Sequence, residues 1–361
     1  MNGADAALAF VGRYLLPRSV LAGLAAVALA FAAGAILIAL IGLDPVQAYL
    51  SLFEASLGST NGLAETAIRT VPLALCGIGI ALAFRAGVFN VGAEGQLYIG
   101  GIAAAWVGVQ LAGQSQMLVL PTMGLAAALA GALWSGIAGV LKQRFRADEL
   151  ITTIMLNYIA IYFVGYLLHG PLQDPTSPLA QTIRLGTEAR LPVILPASRL
   201  HAGILIVLVV ALLAQVYLWR AVDGFRLRAV GQNARAALNA GINVKRLVWT
   251  GFLVCGALAG LAGFGEVAGV HRRMIENLSP GFGYTAIIVA LLGQTNPLGV
   301  LAAAVLFAAL QIGSTTMESA AGVPSALTTV IQALVVLFLI GQNALPRWRR
   351  KPKTAPAGGE G

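Results

Sequence analysis

Apolar runs of about 20 residues, the length a helix needs to cross the hydrocarbon core of a bilayer, recur along almost the whole chain. This constraint outranks every other feature. Backbone N–H and C=O groups in hydrocarbon have no water to bond, so only helices and closed barrels can span it. Of the 361 residues, 58% are hydrophobic and 10% charged, with a mean hydropathy of +0.84. Soluble domains carry about 25% charged residues. The expected fold is an all-α, polytopic membrane helix bundle of about ten spans. The runs place them at 20–42, 63–84, 91–112, 117–141, 151–169, 201–219, 248–269, 284–295, 297–315 and 325–341. The eighth and ninth are short and joined by Gln294-Thr295-Asn296-Pro297, which makes them a candidate re-entrant pair. The first run exceeds the about 7–15 apolar residues of a signal peptide and reads as an uncleaved helix.

Charge orients the bundle. With the N-terminus inside, 17 of the 23 Lys and Arg residues fall on one side. They are Arg13 and Arg18, Arg85, the cluster Lys142–Arg146, the cluster Arg220–Arg246, and the cluster Arg347–Lys353. Arg184, Arg190, Arg199, Arg272 and Arg273 fall on the other. Basic residues concentrate on the cytoplasmic side of membrane proteins, which puts both termini in the cytoplasm. The net charge of +9 is therefore a topology signal. It does not point to nucleic acid, because no basic stripe with interleaved aromatics accompanies it. The layout is a cytoplasmic N-terminus (1–19), a membrane domain (20–341) with an outer loop at 170–200 and a cytoplasmic segment at 220–247, and a basic cytoplasmic tail (342–361), of which 352–361 reads as disordered. The two cysteines, Cys76 and Cys255, lie in apolar runs and read as small buried hydrophobes.

Between the second and third spans the chain reads F-R-A-G-V-F-N-V-G-A-E-G-Q at 84–96. A lipid-facing helix does not tolerate this mixture of polar groups and glycines, so the segment lines a cavity or is buried in protein. With Arg85 at the cytoplasmic end, it is a turn and helix start at the inner end of the bundle. The candidates for meeting a polar solute are Asn90, Glu94, Gln96, Asn157 and Tyr158, with Tyr98 and Tyr162 behind them. For Asn157 the competing role is an interhelical hydrogen bond, and Glu94 is placed to accept N–H bonds at a helix N-terminus. Glu65 and Arg69, four residues apart with Glu first, are expected to pair on one helix. No Walker A, H-E-x-x-H, C-x-x-C or G-x-S-x-G pattern occurs. The three histidines lie far apart, so no catalytic site, metal site or cofactor is expected.

The cytoplasmic segment contains a short helix, Ala234–Ala240, with Asn233 as N-cap and Gly241 as C-terminal stop. A helix this short cannot persist alone and needs a docking surface, as a transporter driven by a separate motor protein would supply.

Four stretches carry a family resemblance: residues 84–96; D-E-L-I-T-T-I-M-L-N-Y at 148–158; R-A-V-G-Q-N-A-R-A-A-L-N-A-G-I-N at 228–243; and A-L-L-G-Q-T-N-P-L-G at 290–299. Together they resemble the permease subunits of ABC importers of the simple-sugar and nucleoside type, within the broader group of ribose and branched-chain amino acid permeases. The resemblance spans roughly residues 20–340 and is greatest to nucleoside permeases. It implies a ten-helix fold in a bacterial inner membrane and alternating access driven by a cytoplasmic ABC ATPase. It also implies a second permease, related or identical, and a solute-binding receptor. The chain itself would be a non-catalytic translocation subunit. Gly231, Asn233, Ala237, Gly241 and Ile242 would form the coupling helix that enters the ATPase. A permease for ribose or branched-chain amino acids, or an ion-coupled carrier, is the alternative; the scarcity of deep carboxylates speaks against the carrier.

Overall fold

The computed structural model describes residues 18–196 and 198–349. Residues 1–17 of the expected N-terminal segment and 350–361 of the expected tail lie outside the described residues. The described chain is helical: α1 (Arg18–Leu40), α2 (Pro45–Leu57), α3 (Thr60–Arg85), α4 (Ala93–Gln110), α5 (Gln116–Phe145), α6 (Glu149–Leu168), α7 (Gly203–Arg220), α8 (Val222–Gln232), α9 (Ala234–Asn239), α10 (Val244–Gly265), α11 (Phe282–Leu292), α12 (Pro297–Ala321) and α13 (Ala326–Arg349). One turn of π-helix, Glu266–His271, continues α10.

Among the described residues, α1, α3, α5, α6, α7, α10 with its π-turn, and α12 are long and apolar enough to cross a membrane. The protein is thus the all-α polytopic bundle that the apolar runs require. The expected pair at 284–295 and 297–315 turns out unequal. α11 has 11 residues, about 16 Å at 1.5 Å per residue, whereas α12 has 25. The sequence reading left α2 unassigned. It starts where Asp44 accepts a hydrogen bond from the Val46 N–H (2.8 Å) and Pro45 occupies the first helical position, a favoured way to begin a helix.

The chain forms two compact units. One combines the chain up to Leu50 with that from Met317; the other is Ser51–Thr316. In the first, α1 packs on α13, and the Tyr49 hydroxyl donates to the Phe31 carbonyl at 2.7 Å. In the second, α10 is central, with α3, α4 and α5 all packed on it. Small residues make this possible. A Cβ added at Gly260 would overlap the Ala127 carbonyl, and one at Gly256 would overlap the Gly131 carbonyl. From the other side, a Cβ at Gly100 would overlap the Gly260 backbone. The small-xxx-small spacing of Gly256 and Gly260 thus serves packing within the chain. In a bilayer such contacts replace the hydrophobic effect as the force between helices. Cys76 and Cys255 are buried, unpaired fillers of this core.

The loop at 170–200 is tied down rather than free. Thr182 N–H donates to the Met274 carbonyl (2.9 Å), Leu185 N–H to Arg272 (2.8 Å) and Leu191 N–H to Ala268 (3.0 Å), so the loop lies along the chain after α10. The expected Glu65–Arg69 pair gives way to a different arrangement. Glu65 accepts both forks of the Arg199 guanidinium, each at 2.9 Å, and Arg69 stands 5.3 Å over the Phe282 ring. The bidentate fork of an arginine 134 residues away gives two charge-assisted bonds, which outcompete a helical neighbour.

Because Gly260 is enclosed by backbone on two sides, Gly260→Ala is expected to destabilise the purified protein by about 1–3 kcal/mol. Thermal unfolding in detergent measures this. Gly23→Ala, where a Cβ meets nothing within 4 Å, serves as the neutral control.

Candidate functional site

Two places stand out: a buried polar knot at the start of α4, and a cavity on the C-terminal half of α6.

The knot begins where α3 ends. Gly87 turns left-handed (φ 73°), and the Val88 N–H closes back on the Ala83 carbonyl at 3.0 Å, a common way for a helix to stop. α4 then starts at Gly92, which has no side chain to cap it. The first N–H groups of a helix have no partner within it, and in a dry bundle another residue must supply one. Asn157, on α6, does so: its Oδ1 accepts the Gly95 N–H at 2.8 Å, and its Nδ2 donates to the Val91 carbonyl at 2.9 Å. Asn90 is fully buried. Its Oδ1 accepts from the Gly92 N–H (2.8 Å) and from Gln96 Nε2 (3.1 Å). Its Nδ2 donates to Ser135 Oγ (3.2 Å), whose hydroxyl donates to the Phe252 carbonyl (2.7 Å). Asn90 and Gln96 therefore join α4 to α5 and α10.

Glu94 caps a helix in the same fashion, though not its own. Its Oε2 accepts the Gly283 N–H at 2.6 Å, at the start of α11, whose N-cap Gly281 likewise offers no side chain. The carboxylate sits at the positive end of the α11 dipole. Glu266, also buried, lies 3.5 Å from His271 across the π-turn.

Tyr158 points elsewhere. With Tyr162 and Tyr166 it forms a stripe at four-residue intervals along α6, and their exposures are 51%, 74% and 68%. The stripe lines a cavity of about 470 Å³ with Tyr98, His169, Glu276 and Asn277. His169 Nε2 and a Glu276 carboxylate oxygen are 4.0 Å apart at its edge. Glu276, Asn277 and Tyr166 were not singled out from sequence. The spacing of the tyrosines was the available signal, and only folding brings residues 276–277 beside it. Tyr158 is the tenth of the twenty residues of α6. A phenol hydroxyl at that depth is poorly accommodated by lipid, so this face borders water or protein. Asn157 and Tyr158 thus divide the two roles: one residue braces the knot and the next faces the cavity. The Tyr284 hydroxyl, 3.4 Å from Asn157 Nδ2, links the two sites.

At the opposite end, α8 and α9 form the expected short-helix segment. Asn233 breaks the helix with extended backbone, and its Oδ1 accepts from the Arg235 and Ala236 N–H groups, both at 3.1 Å. Gly241 (φ 77°) ends α9, while the Ile242 N–H bonds the Ala237 carbonyl at 3.0 Å. Ala237 is buried beneath an otherwise exposed α9. A Cβ at Gly231 would overlap the Arg85 carbonyl, so α8 is seated on the end of α3.

Residues 62–340 match the family described as branched-chain amino acid transport system / permease component. A glucose ABC transporter permease protein of Haloferax volcanii is 38% identical over 92% of this chain and 91% of its own length. A guanosine ABC transporter permease protein of Bacillus subtilis is 38% identical over 89% and 93%. A nucleoside ABC transporter permease protein of Lactococcus lactis is 32% identical over 89% and 91%. No solved structure matches the chain.

Removing Asn157 strands a buried N–H and a buried carbonyl, each worth about 1–3 kcal/mol when unsatisfied. Asn157→Ala is therefore expected to lower the unfolding midpoint clearly. Tyr162→Ala, on the exposed face, should stay within about 0.5 kcal/mol of the parent protein. Parallel melts in one detergent compare them.

Proposed function

The chain belongs to the branched-chain amino acid transport system permease family, and we propose that the solute it moves is a nucleoside or a related ribose-bearing molecule. As a family member it is the translocation subunit of an ATP-driven ABC importer, with ATP hydrolysis on a separate ATPase and solute delivered by a binding partner. The observation carrying the substrate reading is the stripe Tyr158–Tyr162–Tyr166 over the 470 Å³ cavity. That volume is within the roughly 300–1,000 Å³ usual for small-molecule sites. Tyrosine faces stack on a nucleobase for about 1–3 kcal/mol per base. The Glu276 carboxylate and Asn277 amide stand where ribose hydroxyls would need polar partners. Two relatives named for guanosine and nucleosides support the same reading. A sugar is the second reading, favoured by the relative named for glucose.

Three further elements belong to the proposal. The exposed tyrosine face of α6 meets a second permease across the path, so that Tyr158 faces water rather than lipid. Gly231, Asn233, Ala237, Gly241 and Ile242 present α9 to the ATPase. Both termini face the cytoplasm of a bacterial inner membrane, in keeping with the basic clusters. In this arrangement Asn90, Glu94, Gln96 and Asn157 shape the path from behind, because their hydrogen bonds go to protein.

Tyr158→Ala and Tyr162→Ala are each expected to weaken apparent solute affinity by about 1–3 kcal/mol, roughly 5- to 150-fold, with ATP hydrolysis retained. Uptake competed by guanosine, ribose, glucose and leucine decides the class, and indifference to nucleosides would sink the reading. Gly231→Leu and Gly241→Leu are expected to abolish uptake while membrane insertion persists. Normal uptake in both would remove the coupling assignment.

A further inference from the structure

α11 is too short to span a bilayer, yet both of its ends are held by side chains from other elements. At its C-terminal end Gln294 and Thr295 both adopt left-handed backbone (φ 54° and 53°), a conformation that L side chains keep only when their surroundings impose it. Arg85, the last residue of α3, supplies part of that constraint. Its Nε donates to the Thr295 carbonyl (3.3 Å) and its Nη2 to the Gln294 carbonyl (3.2 Å). The same guanidinium stands 5.8 Å from the Trp219 ring, and Arg228 of α8 covers that ring at 4.4 Å. The Arg85 main-chain carbonyl is also what seats Gly231. One residue therefore touches the cytoplasmic segment with its backbone and the turn that closes α11 with its side chain. At the N-terminal end, Glu94 holds the Gly283 N–H and Tyr284 reaches Asn157, next to the tyrosine stripe.

We propose that Arg85 is a positioning residue that ties α11 to the cytoplasmic segment, so that α11 acts as a strut carrying displacement of α8 and α9 to the wall behind the α6 cavity. The inference rests on the reading of residues 228–243 as the surface that meets the ATPase. Helices with fixed contacts at both ends transmit displacement along their axis, and a latch at one end decides whether they follow the motion. Lysine cannot replace the latch, because a single ammonium does not offer the planar fork that reaches two adjacent carbonyls and lies on an indole.

The test uses the complete transporter in liposomes, with its ATPase and receptor, reading solute uptake and ATP hydrolysis together. Arg85→Ala is expected to keep the ATPase bound and hydrolysing while uptake per ATP falls about tenfold or more, a size within the usual range of coupling between sites. Arg85→Lys is expected to fall between the two. A residue that merely held the fold together would lower uptake and hydrolysis in step, and that result would overturn the proposal, as would unchanged uptake per ATP. Should Arg85→Ala fail to reach the membrane, the ratio in Arg85→Lys decides by the same criteria. The docking reading fails separately, when Leu238→Glu, on the exposed face of α9, still co-purifies the ATPase; the strut fails when the ATPase is retained and the ratio does not move.

Discussion

Everything near the solute side of this permease depends on one requirement: a helix that begins inside a membrane must find partners for its first N–H groups, and here neighbouring helices supply them. α4 and α11 both start at N-cap glycines, and at α11 the Ser279 hydroxyl oxygen takes only the Phe282 N–H (2.9 Å) of the helix's first N–H groups. Asn157 reaches across from α6 to cap α4, and Glu94 reaches from α4 to cap α11. A cap within one helix stabilises that helix alone. A cap from a neighbour also fixes where two helices stand, because the bond fails if either shifts by an ångström or so. The chain of caps α6 to α4 to α11 is thus a positional lock made from two side chains, and glycine at the helix starts is what leaves room for it.

Local features were the ones legible in the sequence. The N-cap at Asn233 and the stop at Gly241 depend on bonds two to five residues away, and both stand as expected. Apolar runs located the long helices because length and burial in lipid are set by composition. Glu65 shows the limit: its helical neighbour Arg69 satisfied a spacing rule, but the true partner Arg199 comes from the long loop before α7, and no spacing reveals it. α11 is short, as its apolar run indicated, but such a run does not say whether its ends are anchored by protein. Asn90, Gln96 and Asn157 were recognised as important, but their partners Ser135, Gly95 and Phe252 are contributed by folding.

The cavity shows the same division. Tyr158, Tyr162 and Tyr166 share a face by helical periodicity, which the sequence contains in plain view. That the face opposes Glu276 and Asn277 follows from the loop at 170–200 being stitched to residues 268–276 by backbone bonds, a long-range arrangement with no periodic trace. The polar knot and the aromatic wall are adjacent because Asn157 and Tyr158 are successive residues of one helix, turned about 100° apart at 3.6 residues per turn. Bracing and exposure are thereby built into a single turn of α6.

The glycine contacts around α10 carry a further implication. Where Gly131, Gly256, Gly260 and Gly100 meet, main chain lies against main chain with no side chain between. Rotamer changes are the usual means by which packed helices slide or roll, and this junction has none to change. α4, α5 and α10 are consequently bound to travel as one block, and any rearrangement during a transport cycle falls to the elements around them. α10 is therefore a built-in fiducial: distances measured from it report the motion of those surrounding elements alone.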